Sequence, residues 1–450
     1  MITTITNETF GSFLRRWQND ECFVDFVLSD SELHPRNNSI SLILIKFIDD
    51  GDTFVLPINH NEANNVNIDL LLMLRSSNTA KYVLEKKKIN HAFSLKGNVI
   101  DVSLSRYIMD GSTTEYDLHY TKSHTHIYST QYKYKNLNRA IPVLKWVEWF
   151  ESVYEEIYPY LKDIKVNSFY NISFLNTLSI IERNGLFVNP NKFTGSDKHI
   201  SKQGLVHTEY NPFTSTGRPS NRFGGVNFSG LSKRDKSRDA YVSRFEDNGE
   251  MVLFDFSAYH PHLLAKLIQY KLPEGNVYEW LGKQYFDKSE LTDDEIEEAK
   301  IKTFQYFYGG FDKSTSSIPY CAKIIEFTDT LWEYGNVKGY ISSPVSKRKI
   351  HLDLINDITK QKLLNYLLQL YETEMNILVM NRLNSILSGK SSKLVLYTYD
   401  SFLFDINKSE NENGQLLDLI VQELNPSGLF PVRGYKGKSY GKLKQIELER

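Results

Sequence analysis

Two aspartates in this chain of 450 residues stand where an apolar run stops. Asp255 closes MVLFD at 251–255, and Asp400 falls between the apolar halves of KLVLYTYDSFLFDI at 393–406. The first run reads as a strand and the second as two short strands around a tight turn, so both acids lie at strand ends within one sheet. Paired carboxylates of this kind can hold two divalent cations about 3.5–4 Å apart and clamp the attacking and leaving oxygens of a phosphoryl transfer. Aspartate at a strand end is also common turn chemistry, and Asp255, just ahead of the helical AYHPHLLAKL, also suits a helix cap.

A third element bears on that choice. In TDDEIEEAKIKTFQYFYGG (292–310), Thr292 and Glu295 have capping-box spacing and acids fill the first turn. Lys300, Phe304 and Tyr308 then recur at i, i+4 and i+8, so they share one helical face, and Gly309-Gly310 ends the helix. A cation, a flat ring and a phenol on one stripe can grip a triphosphate, a base and a sugar together. An amphipathic core helix accounts for the two aromatics but gives no reason for the lysine to join them.

These residues need strands and helices to hold them. Residues 22–28, 40–47 and 53–58 read as strands in a β-rich first 120 residues. Residues 141–188 read as helices stopped at Gly185, and 189–212, rich in Asn, Lys, Gly and Ser, as loop. Beyond 250, strands alternate with helices at 293–308 and 358–388, the latter one long helix or two. The net charge is −2, so any nucleic-acid site is built from local clusters rather than a global basic field. Aromatics are abundant, with 28 Tyr and 26 Phe, and supply stacking surface as well as core. Two cysteines, Cys22 and Cys321, make neither a disulfide framework nor a zinc site, which fits a reducing compartment. The first twenty residues carry no long apolar run, so no signal peptide is expected, and no apolar stretch reaches the ~20 residues of a membrane span.

On these residues the chain resembles the family-A DNA polymerases, the bacterial DNA polymerase I family. Asp255 in DFSAYHPHLLA matches the first catalytic aspartate of a pattern like DYSQIELR. Lys300, Phe304, Tyr308 and Gly309 match K-x3-F-x3-Y-G, and Asp400 in YTYDSFLF matches the aspartate of the VHDE hairpin. TSTGRPS (214–220) matches T-x-T-G-R-x-S, GYISSPVSKRKI (339–350) resembles GYVETLFGRRR, and Asn365 with Gln369 matches an N-x3-Q pair. FLNTLSIIERNGLFVN resembles the helix ahead of the thumb. The resemblance spans about 170–450, with its motifs in the family's order. It implies a template-directed polymerase using two Mg²⁺ ions, with Mn²⁺ as a substitute. Asp255, Asp400 and the Phe256 carbonyl would hold the metals, and Lys300 would neutralise charge on the phosphates. Tyr308, Phe304 and His260 would bind the nucleotide, and Arg218, Asn365 and Gln369 the primer-template DNA. Basic clusters at 231–244, 346–349 and 432–444, including Lys233 and Arg234, would add phosphate contacts.

Departures from the family pattern are specific. His260 stands where the family has a glutamate that gates against ribose, and His262 where it has an arginine. Ile296 replaces an arginine ahead of the helix lysine, Tyr278 a histidine, and Ser401 a glutamate beside the hairpin aspartate. Lys302 is expected on another face of the helix. Towards the N-terminus, Asp30 and Glu32 resemble the first motif of 3′–5′ exonucleases, but Val83 takes the aspartate position of the second motif in NTAKYVLE, and no third motif follows. Solvated turn acids are the equal alternative for Asp30 and Glu32. The run Lys86-Lys87-Lys88 has no motif and no assigned role.

The expected architecture is therefore a multidomain α+β and α/β chain. Residues 1–140 form a degenerate exonuclease-like (RNase H-like) α/β domain, 141–206 connecting helices and a vestigial thumb, and 207–450 a polymerase palm and fingers. The polar loop between Val188 and His207 is too short for the family's helical thumb. A processivity protein that substitutes for the thumb is therefore an expected partner, beside primer-template DNA and dNTPs. A cytoplasmic setting is expected, and the compact, Asn-, Lys-, Ile- and Tyr-rich chain suggests a phage or other mobile element. A single-subunit RNA polymerase and a non-catalytic DNA-binding replication subunit are the alternative readings.

Overall fold

Strands β1 (Ile2–Thr4), β2 (Cys22–Leu28), β3 (Ile40–Phe47), β4 (Thr53–Pro57), β5 (Lys81–Val83) and β6 (Val99–Asp101) build one sheet in the order β1-β4-β3-β2-β5-β6. β2, β3 and β4 pair antiparallel, whereas β5 and β6 run parallel to β2. β2 and β3 are almost continuously apolar because both faces are covered. On one face Val24, Phe26, Ile43 and Ile45 pack with Phe13 and Trp17 of helix α1 (Phe10–Asn19). On the other, Phe23, Val27, Leu42 and Leu44 pack with Trp146, Phe150 and Val153, and the Phe23 and Phe150 rings stack at 5.0 Å. This computed structural model describes residues 1–48, 50–110, 137–312 and 314–448. Residues 111–136, part of the stretch read as lacking a third exonuclease motif, lie outside the described residues.

The sheet belongs to a unit of residues 1–213 and 221–241. The lysine run opens helix α2 (Lys86–Ala92) and has a structural use that the sequence did not disclose. Lys86 Nζ donates to the Asn171 carbonyl at 2.8 Å, Lys87 pairs with Glu182 and donates to the Tyr210 carbonyl at 2.5 Å, and Lys88 pairs with Asp25 at 3.5 Å. Helix α3 (Val143–Leu161) covers the sheet, and α4 (Leu175–Asn184) carries Glu182. Gly185 ends α4 at φ +60, where an added Cβ would meet the His207 ring at 2.9 Å. Among the described residues no α-helix falls between Asn184 and Gly249, only short strands and 3₁₀ turns.

A second unit comprises residues 214–220 and 242–450. Its sheet is antiparallel, built from β7 (Gly249–Phe256), β8 (Lys393–Thr398), β9 (Ser401–Asn407), β10 (Val432–Gly437) and β11 (Lys444–Ile446) in the order β8-β9-β7-β10-β11. Helices α5 (Tyr259–Leu267), α6 (Val277–Phe286) and α7 (Asp293–Gly309) follow β7. The segment 358–388 is one helix, α8 (Lys360–Ile386), which packs against α5, α7 and the helix Pro319–Lys338. The capping box of α7 forms: the Glu295 amide donates to Thr292 Oγ1 at 3.3 Å, and the Thr292 amide to the Glu295 carboxylate at 2.9 Å. Gly309 is still helical, and Gly310 at φ +110 makes the stop.

Candidate active site

Asp255 is not a helix cap. The strand continues through Phe256, and α5 starts from Ala258, which sits at φ +50 and makes no side-chain cap. Asp255 instead lies in the ladder between Ser401 on β9 and Arg433 on β10. Residues paired across a ladder share a face of the sheet, so Asp255 is flanked by a hydroxyl and a guanidinium. The next residue, Phe256, donates its amide to the Asp400 carbonyl at 2.9 Å. Asp400 occupies the β8–β9 turn after Tyr399, whose φ is +62. Asp255, Phe256 and Asp400 line one cleft of about 350 Å³. Solvent reaches Asp400 from the cleft, while the surrounding protein desolvates its carboxyl and Glu372 adds negative charge, so its pKa is raised. Two carboxylates and a backbone carbonyl are all hard oxygen donors, and the surplus negative charge is of the kind a divalent cation offsets, so this set fits Mg²⁺ or Mn²⁺.

The stripe on α7 faces the same cleft: Lys300, Phe304 and Tyr308 all line it. The Phe304 and Tyr308 rings are nearly parallel at 5.8 Å, and Tyr278 packs beside Phe304 at 6.2 Å. Lys300 is engaged by Glu297 at 3.0 Å, one helical turn back, and this acid also lines the cleft. Lys302 lies over the Tyr285, Phe286 and Tyr306 rings, on the other face as expected. The Tyr308 hydroxyl and His260 Nδ1 share a hydrogen bond of 2.6 Å. Burial first, then the Glu372 charge, push the Tyr308 pKa up to about 12, so the phenol keeps its proton at neutral pH.

Two residues that sequence reading missed organise this site from α8. Glu372 is 1% exposed. It lies 3.0 Å from Arg218 Nε and 3.3 Å from His260 Nε2. The Arg218 guanidinium also lies over the Tyr399 ring at 3.7 Å. One turn on, Asn376 Nδ2 donates to the Tyr399 carbonyl at 2.5 Å, and Asn376 Oδ1 accepts from the Tyr259 hydroxyl at 2.7 Å. Asn376 therefore ties the hairpin turn to the start of α5. The available signal was a polar stripe: Asn365, Gln369, Glu372 and Asn376 recur at spacings of four, three and four along α8.

Other expected residues are placed differently. Gln369 Nε2 donates to Asn365 Oδ1 at 2.9 Å, and neither residue lines the cleft. Arg218 does line it, held by Glu372 and Tyr399. Lys233 and Arg234 are exposed, belong to the first unit and do not line the cleft. In the basic segment 346–349, Arg348 is buried rather than presented to solvent. Glu32 pairs with Lys198, and Asp30 Oδ1 accepts from the Glu32 amide at 2.8 Å.

The first unit contains a separate buried group, His34, His91 and Glu182, whose ligating atoms lie within 4.8 Å of one another. Hydrogen bonds already join it. His91 Nε2 meets Glu182 at 2.7 Å, His34 Nδ1 accepts from the Arg36 amide at 3.1 Å, and the Tyr210 amide donates to Glu182 at 2.7 Å. Burial lowers the pKa of both histidines well below the usual value, so both are neutral at pH 7.

The fold is that of a DNA polymerase domain. The chain is similar to the POL domain of Pol1 from M. smegmatis, whose structure is a complex with DNA primer-template and dNTP. The TM-score is 0.70 at 13% sequence identity, covering 98% of this chain and 99% of that one. At that identity the likeness establishes the fold. No protein-family model matches the sequence, and no curated protein matches it. Among the described residues no helix is long and apolar enough to cross a membrane.

Proposed function

We propose that the chain is a template-directed DNA polymerase that adds dNTPs to a primer 3′-hydroxyl. The observation that carries this reading is one cleft lined by Asp255, Asp400, Lys300, Phe304 and Tyr308, on a fold similar to a polymerase domain bound to primer-template and dNTP. The primer 3′-hydroxyl gives up its proton to solvent as its oxygen forms a bond to the α-phosphorus, the bond to the bridging oxygen breaks, and pyrophosphate leaves. Asp255, Asp400 and the Phe256 carbonyl would hold two Mg²⁺ ions, which when bound stabilise charge on the attacking and leaving oxygens. Lys300 exchanges Glu297 for the triphosphate and offsets its charge, while Phe304 and Tyr308 offer flat surface to the base and sugar. Arg218, Asn365, Gln369, Lys233 and Arg234 are the candidates for DNA contact, Asn365 and Gln369 after exchanging their mutual hydrogen bond for one to DNA.

Primer extension tests this reading, first with dNTPs and then with NTPs. Template-dependent dNTP addition supports it. A preference for NTPs favours a single-subunit RNA polymerase, a reading kept open by His260 at the gating position. Binding of primer-template without addition of either favours a non-catalytic replication subunit.

The mixed sheet of the first unit supports reading residues 1–140 as an exonuclease-like domain, with 141–206 as connecting helices and reduced thumb and 207–450 as palm and fingers. Val83 is fully buried and has no metal-binding atom, which supports the absence of proofreading. Degradation of a labelled single strand that disappears in Asp30→Ala would refute this.

A further inference from the structure

A carboxylate as buried as Glu372 costs several kcal/mol unless opposite charge and hydrogen bonds compensate it. Arg218 supplies opposite charge and one hydrogen bond, and His260 lies within ion-pair distance without hydrogen-bond geometry. Arg218 Nε is 3.0 Å from Oε2, with Nη2 donating to Oε1 at 3.4 Å, and His260 Nε2 is 3.3 Å from Oε1. Each of these partners passes the contact on. Arg218 lies over Tyr399, the residue before Asp400, at 3.7 Å. His260 turns its other nitrogen to the Tyr308 hydroxyl at 2.6 Å. With the phenol as donor to Nδ1, the imidazole Nε2 faces Glu372. Glu372 thus stands midway between the hairpin that carries Asp400 and the helix face that carries Tyr308. Arg218, His260, Tyr308, Glu372 and Asp400 all line the cleft.

We propose that Glu372 is a positioning residue for the incoming deoxynucleoside triphosphate: through His260 it holds the Tyr308 hydroxyl, and through Arg218 it couples that hold to the Tyr399–Asp400 turn. This rests on the polymerase reading and adds to it a residue that the sequence motifs do not contain. Glu372 touches no reacting atom in this role, so its loss acts on nucleotide capture before it acts on chemistry. A purely structural ion pair would change stability while leaving the split between KM and kcat alone.

Glu372→Gln keeps the shape and removes the charge. In steady-state single-nucleotide addition its KM for dNTP is expected to rise about tenfold or more, the scale of one hydrogen bond to a charged group, with kcat changed by less than about threefold. In a double-mutant cycle with Tyr308→Phe, the combined KM effect is expected to be no larger than the greater single effect, because both substitutions cut the same relay. Multiplying effects, or an unchanged KM in a folded Glu372→Gln protein, overturn the proposal. Should Glu372→Gln fail to fold, His260→Gln cuts the link to Tyr308 while leaving the Arg218 pair, and an unchanged KM there overturns it equally. The wild-type chain is the control: if it adds no dNTP, the polymerase reading itself fails and takes this role with it. If it adds dNTPs and the variants match it, only the role of Glu372 is lost.

Discussion

The Phe256 amide donates to the Asp400 carbonyl at 2.9 Å, which locks the end of β7 to the β8–β9 turn. The bond sets the separation of Asp255 and Asp400 through backbone. Asp255→Ala and Asp400→Ala are each expected to abolish nucleotide addition while leaving primer-template affinity largely intact, because either change removes a proposed metal ligand from the in-line transfer. Extension above a few per cent of wild type by either variant, with DNA binding followed by anisotropy, would count against the assignment.

Lys300 and Glu297 form an exposed i,i+3 pair at 3.0 Å, of the kind that adds little to stability. The lysine can therefore leave its partner for a triphosphate at small cost. Lys300→Ala is expected to slow addition by about 10²-fold or more at saturating dNTP, on the scale of losing one preorganised charge donor. An unchanged rate in rapid-quench measurements would show that the stripe on α7 does not meet the phosphates.

No α-helix falls between α4 and Gly249 among the described residues, the segment where, on the proposed reading, a helical grip on the duplex would lie. The isolated chain is expected to dissociate after a few additions and to lose DNA affinity steeply with salt, as expected of lysine and arginine contacts to phosphate. A partner that covers the duplex would raise processivity by raising effective concentration. Single-hit primer extension with a trap at two salt concentrations measures this, and long products from the chain alone would remove the need for a partner.

His262 carries a pH signature. Burial lowers its pKa from 6.5 to about 4, and its ring sits 6.4 Å from that of Phe430. The unfolded chain therefore takes up this proton first as pH falls. The contribution to stability is whole above pH 6.5 and is lost as pH drops towards 4. Between pH 7.5 and 5 the wild type is expected to lose about 1–2 kcal/mol more stability than His262→Gln in denaturant titrations. Parallel pH profiles for the two proteins would place His262 in water.

The features read from the sequence alone are those with a local period or a local stop. Asp255 stands one residue before the end of β7 and Asp400 in the turn between β8 and β9, and Lys300, Phe304 and Tyr308 share a face because a helix repeats every 3.6 residues. The capping box of α7 is likewise a matter of three residues. The Asp255–Asp400 pairing was legible only as two strand ends, and the ladder to Ser401 and Arg433 decided which neighbours they have. Glu372 was invisible for a different reason. A glutamate within α8 has no meaning until Arg218, 154 residues earlier, and His260 are brought against it. The same holds for Lys87, which belongs to a run with no motif and no assigned role and is paired with a glutamate 95 residues away. A buried charge is tolerated only where distant segments deliver its counter-charge, and that delivery depends on sheet order and helix packing, which no local spacing encodes.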